Sequence, residues 1–393
     1  MKSLKKLFSI LLVIVMLMTL CSCGSGAETE IEVETFIEYP SGYSSTVHTN
    51  DASSQIGQSA DESQGQSTVN PSSQSGNTTT TPKEENKKVN TIKVLAIGNS
   101  YSNNTTKYIS QIADATAGDT TVFAASLYYP GATLSLHVAM IEQWNSIFAE
   151  HNLEETKQIY YSSEVPSTRK YDCLTVGDKT IKTIKSLYEA IRYEDWDYIT
   201  IQQSPDGCDN FATYEPYLTK LYDYIQAEYK RDDMKGKTCP PILVHQTWAF
   251  NNDMAQNDAY QNYPVHYKNN TEMFKKVEEA YNKAVQQLKD TKNVTASLIK
   301  SGEAVELAQK EFGYSRTASE NLADNTLYAD DISHLNDRGC YLTACVWIET
   351  LAKLEEVTID TRTTSFFPSV RGLSADDCKN LQYIARRVVL GEK

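Results

Sequence analysis

From Thr91 onward, short apolar runs alternate with stretches whose apolar residues recur at helical spacing. Five runs, IKVLAIG (92–98), TTVFAAS (120–126), DYITIQQ (197–203), PILVHQT (241–247) and NVTASLI (293–299), are largely apolar, as strands covered on both faces of a parallel sheet must be. Amphipathic stretches around 104–117, 133–148, 179–193, 214–231, 271–290, 336–353 and 375–389 predict helices. The segment QIYYSSEVPSTRKYDCLTVGDK (158–179) alternates like a β-hairpin and stands outside the repeating unit. Strand and helix in turn predict one α/β domain over residues 91–393, a mainly parallel five-stranded sheet with helices on both faces and a β-hairpin insertion.

The residues before that domain have another character. Lys2, Lys5 and Lys6 precede LFSILLVIVMLMTL and then CSCGSG, the charged, apolar and small-residue regions of an export signal over residues 1–22. Leu20-Cys21-Ser22-Cys23 resembles the lipobox of bacterial lipoproteins, which implies that Cys23 becomes the acylated first residue. Residues 23–90 are rich in Ser, Thr, Gln, Asn and Gly, a composition that buries too little apolar surface to fold and predicts a disordered tether. These expectations place the domain on the extracellular face of a bacterial membrane, held by lipid.

Composition narrows the partners. The 393 residues carry a net charge of −14 with no clustered Lys or Arg, which argues against nucleic acid. Cys173, Cys208, Cys239, Cys340, Cys345 and Cys378 match no paired CxxC zinc pattern, and no calcium loop follows Asp330–Asp331. No metal and no cofactor is expected.

In a doubly wound sheet, chemistry collects at the carboxyl ends of the strands. After the first strand come Gly98, Asn99 and Ser100, where Ser100 is either the cap of the next helix or a nucleophile. Gly131 follows the second strand, and Gln202 and Gln203 the third. Late in the chain, YADDISHLNDRG holds Asp331 and His334 three residues apart. That spacing brings a carboxylate beside an imidazole, to accept from Nδ1 and leave Nε2 free as a base. His137, His151, His245 and His266 lack such a partner and are read as packing or surface residues.

The strings GNS at Gly98–Ser100, Gly131 in YYPGATLSLH, and DxxH at Asp331–His334 resemble, in order, the blocks of the SGNH (GDSL-like) hydrolase superfamily. VLAIGNSYS, WDYITIQQS and DDISHLNDRGCYLTA are similar to a bacterial branch of it known only as a domain of unknown function. The resemblance implies a flavodoxin-like three-layer sandwich and a Ser100–His334–Asp331 triad. It also implies an oxyanion hole from the backbone N–H groups of Ser100 and Gly131 and a third donor. In the superfamily that donor is an Asn from a GxND string. Here the stretch is QQSPDG, so Gln202, or alternatively Gln203, is expected to replace it.

The chain has 25 Tyr against 10 Phe, with Tyr128–Tyr129, Tyr160–Tyr161, Trp144, Trp196 and Trp248 as candidate sugar-facing rings or core aromatics. The expected function is that of a serine esterase removing O-acetyl groups from carbohydrate. The alternative is a glycan-binding lipoprotein without catalysis.

Overall fold

The computed structural model describes residues 90–256, 266–319 and 324–392. The expected export signal, the expected acylation site Cys23 and nearly all of the expected tether lie outside the described residues. β1 (Asn90–Ile97) and β2 (Thr120–Tyr128) are followed by β3 (Cys173–Val176) and β4 (Lys179–Lys182), then by β5 (Tyr198–Ile201), β6 (Ile242–Gln246) and β7 (Ser297–Lys300). The order across the sheet is β4-β3-β2-β1-β5-β6-β7. The five expected strands form its parallel part, and the hairpin β3–β4 joins antiparallel at the β2 edge. The sheet is therefore seven-stranded, not five-stranded, because β2 runs on to Tyr128 and pairs it with Cys173.

Ten helices are described: α1 (Ser100–Thr106), α2 (Ile109–Asp114), α3 (Leu134–Glu150), α4 (Leu153–Tyr161), α5 (Leu187–Tyr193), α6 (Tyr217–Glu228), α7 (Asn270–Lys292), α8 (Ser301–Glu311), α9 (Asp337–Glu355) and α10 (Ala375–Leu390). Successive residues of a strand face opposite sides, which sorts them into two cores. Leu95, Ile97, Leu127, Ile199 and Val244 pack with α3, α5, α6 and α7. Val94, Ala96, Val122, Ala124 and Leu243 pack with α1, α2, α8, α9 and α10. Covering both faces explains why the strands read as continuous apolar runs, and it gives the three layers of an α/β fold.

Several expected boundaries move. Only the end of 158–179 is β-structure; its beginning belongs to α4, which Asn152 and Glu155 open with a reciprocal capping box. The helix expected from 179 begins at Leu187, because Lys179–Lys182 form β4. The helix expected over 104–117 is two helices, and the first starts at Ser100. Helix α8 and a small parallel pair, β8 (Ser315–Ala318) with β9 (Thr326–Tyr328), were not expected at all.

The strand order positions the site. From β1 the chain steps out to β2 and later returns past β1 to β5, so a crevice opens between the carboxyl ends of β1 and β5. Ser100 follows β1 there, and Gln202 follows β5, its N–H bonded to Ile97 O at 3.3 Å.

Candidate active site

Ser100 owes its position to its two predecessors. At Gly98 a Cβ would lie 2.2 Å from Ser102 Oγ and 2.8 Å from the Gln202 amide carbon, so only glycine lets α1 turn this tightly off the strand. Asn99 is extended, and its Oδ1 accepts from Tyr101 N at 3.0 Å, so Asn99 caps α1. The capping role open to Ser100 therefore falls to its neighbour. The Ser100 hydroxyl instead meets His334 Nε2 at 2.8 Å.

His334 stands in a loop closed by bonds from Ala329 N to His334 O (3.0 Å) and from Asn336 N to Leu327 O (3.0 Å). Its Nδ1 lies 2.6 Å from Asp331 Oδ2. The other oxygen of that carboxylate accepts from the N–H groups of Ser333 (2.7 Å) and His334 (2.6 Å). Burial would raise the Asp331 pKa, but the bond and charge of His334 and these two N–H groups outweigh it and hold the pKa at about 2. The carboxylate is thus ionised and fixed where it orients the ring.

Three neighbours hold this loop: Asn104 and Asn251, which the sequence did not single out, and Trp248, which it offered only as a sugar-facing or core ring. Trp248 Nε1 donates to Ser333 O (2.7 Å), Asn251 Nδ2 to Asp331 O (2.6 Å), and Leu335 N to Asn104 Oδ1 on α1 (3.1 Å). Tyr101 stacks on Trp248 with 4.3 Å between ring centres and meets the His334 ring edge-on at 5.9 Å. Nothing in an isolated Asn or Trp marks such a contact, because each arises from loops that only the fold brings together.

Gly131 follows β2 with φ +63°, a backbone state that glycine alone adopts freely. Asn99 Nδ2 donates to Ala132 O at 3.1 Å and so ties the Gly131 turn to the Ser100 loop. The glutamines do not take the expected part. Gln203 Nε2 donates to Thr213 O (2.9 Å) and Thr213 Oγ1 (3.0 Å), and its Oε1 accepts from Leu134 N (3.0 Å) and Ser204 N (2.9 Å). Gln202, 1 % exposed, donates from Nε2 to Asn99 Oδ1 (2.7 Å), while its Oε1 accepts from Ser102 Oγ (2.6 Å). The extra methylene carries the Gln202 amide beneath the loop, to Asn99, rather than out into the crevice. A third oxyanion donor at Gln202 or Gln203 is thereby replaced by supporting contacts.

The remaining candidates fall as packing demands. His137 and His245 are fully buried, and burial lowers both to a pKa of about 3. His151 lies on the surface beside Glu155, and His266 is exposed. Trp144, Trp196, Trp248 and Tyr160 are core residues and offer no face to a sugar, whereas Tyr128 and Tyr129, next to Gly131, are half-buried. Among the described residues no group of three or more His, Cys, Asp or Glu is arranged to hold a metal ion.

The family described as Domain of unknown function (DUF4886) matches residues 93–377, most of the chain and every residue of this site. The chain is a DUF4886 protein. The crystal structure of a DUF4886 family protein from Bacteroides uniformis superposes with a TM-score of 0.54 at 22 % identity, covering 76 % of this chain and 95 % of that one, so the two share the fold. A protein of Agrobacterium tumefaciens proposed to be an arylesterase aligns with a TM-score of 0.36 at 12 % identity, over 68 % of this chain and 100 % of its own. No curated protein matches this DUF4886 chain.

Proposed function

We propose that this DUF4886 domain is a serine ester hydrolase of the SGNH type, and the observation that carries the reading is the continuous Ser100–His334–Asp331 contact at 2.8 and 2.6 Å. A serine hydroxyl attacks an ester only when a base takes its proton. His334 Nε2 receives that proton as Ser100 Oγ bonds to the acyl carbon, and Asp331 stabilises the imidazolium that results. The carbonyl oxygen, now negative, is stabilised by the backbone N–H groups of Ser100 and Gly131. His334 returns the proton to the departing alkoxide as the ester C–O bond breaks. Water, deprotonated by the same ring, then releases the acid and restores Ser100.

The substrate is an acylated carbohydrate, with O-acetyl the group removed and Cys23 anchoring the enzyme at the outer face of the membrane. Support for this finer reading is the lipobox-like LCSC sequence and the two half-buried tyrosines beside Gly131. Purified protein is expected to turn over p-nitrophenyl acetate and to release acetate from acetylated glycan, and Ser100→Ala to lose both. Ester turnover that survives Ser100→Ala would refute the mechanism. Turnover of the small ester with no acetate from any glycan would refute the substrate.

A further inference from the structure

Behind the loop of Ser100 lies a line of polar side chains that the proposed chemistry does not touch. Asn99, Gln202, His245 and Ser301 are each at most 1 % exposed; Asn99 lies between β1 and α1, Gln202 directly follows β5, His245 is in β6 and Ser301 opens α8. Asn99 Oδ1 meets Gln202 Nε2 at 2.7 Å, Gln202 Oε1 meets His245 Nδ1 at 3.2 Å, and His245 Nε2 meets Ser301 Oγ at 3.1 Å.

The direction of every bond follows from the backbone at one end. Tyr101 N–H can only donate, so the Asn99 atom it meets is oxygen. Ala132 C=O can only accept, so the Asn99 atom it meets is nitrogen. With Asn99 fixed, the Gln202 atom facing its oxygen must be the amide nitrogen, which turns Gln202 Oε1 toward His245. His245 Nδ1 must then carry the proton, and its Nε2 must accept from the Ser301 hydroxyl. Ser102 Oγ fits the same scheme by donating to Gln202 Oε1. Burial lowers the His245 pKa to about 3, so the ring stays neutral and keeps one tautomer near neutral pH.

On the reading of this site as a hydrolase, the geometry points to His245 as a positioning residue for the oxyanion hole. Its Nδ1–H holds the Gln202 amide in one orientation, Gln202 holds Asn99, and Asn99 clips the Gly131 turn to Ser100. A flipped Gln202 would set oxygen against Asn99 Oδ1, and the clip would loosen. His245 never touches substrate and acts through three bonds.

Two substitutions separate this role from simple packing. An asparagine carries an N–H at the reach of His Nδ1, and a glutamine carries its polar atoms at the reach of Nε2. His245→Asn is expected to keep kcat on p-nitrophenyl acetate within about threefold, whereas His245→Gln loses about tenfold or more in kcat with KM little changed, because only transition-state stabilisation suffers. Equal kcat for the two folded variants would overturn the proposal, since a filler of space distinguishes them by volume alone. A second measurement needs neither variant nor activity: nitrogen NMR of histidine-labelled wild-type protein should show the buried His245 with Nδ1 protonated and Nε2 bare. The opposite tautomer would also overturn it. Should wild-type turnover prove independent of Ser100, the hydrolase reading falls by itself, while the tautomer still decides whether the line of bonds runs as drawn.

Discussion

At the scale of single residues, the contact between Ser100 and His334 makes the two act as a unit. Neither is useful alone, so Ser100→Ala and His334→Ala should each lower kcat by about 10⁴-fold or more, and the double variant should be no worse than either. Asp331→Asn leaves the ring in place but removes the charge that faces it, and the loss should be smaller. A double variant markedly slower than both singles would show two independent contributions. Asp331 also carries a pH signature. Its folded pKa of about 2 lies below the unfolded value of roughly 3.9. The contribution to stability is therefore present above the unfolded pKa and is lost as pH falls from about 4 towards 2. Urea unfolding at pH 6 and pH 3 should show wild type losing more stability than Asp331→Asn over that interval. Parallel losses would show that the carboxylate is not held as described.

At the scale of elements, two glycines aim the site and should fail differently. Gly98 is glycine because Ser102 and Gln202 fill the space of a side chain. Gly131 is glycine because its φ is +63°, with nothing within 4 Å of where a Cβ would stand. Gly131→Ala should thus cost only the backbone strain of about 1–2 kcal/mol. Gly98→Ala forces neighbouring side chains apart, in the range of about 1–3 kcal/mol or more. Denaturant unfolding should rank Gly98→Ala as the less stable, and both should lower kcat. The reverse ranking would mean that the loop before α1 relaxes freely. Both glycines were legible in the sequence, as was the pairing of Asp331 with His334, because a strand end, a turn and a three-residue spacing are local features. The alternation in QIYYSS hid α4, although the Asn152–Glu155 capping signal stood just upstream. Helix α8 was hidden because it follows β7 with no intervening loop and buries mostly small residues, Gly302, Ala304 and Ala308. Its Gly302 packs so near Thr247 O that a Cβ would come within 2.0 Å, a constraint no local pattern reveals.

At the scale of the whole molecule, five apolar runs were enough to give the parallel part of the sheet, and the strand order then set the crevice at the ends of β1 and β5, after which Ser100 and Gln202 follow. What the runs left out was the direction of side chains within it. Gln202 and Gln203 leave a strand covered on both faces, and no polar face told which way either amide would turn. The proposed anchoring operates at this scale, since residues 24–89 separate Cys23 from β1 and the cluster proposed to carry the chemistry lies wholly within 98–334. Membrane attachment and turnover should consequently be separable. Each buried CH₂ of an acyl chain contributes about 0.8 kcal/mol to membrane binding, so loss of the acylated thiol removes the attachment while leaving the triad untouched. Cys23→Ala is expected to shift the protein from the membrane pellet to the soluble fraction, or to halt its processing, with kcat on p-nitrophenyl acetate unchanged in the purified protein. Normal maturation with full membrane retention would overturn the anchoring. A fall in kcat would instead contradict the independence of the residues around Cys23 from the site.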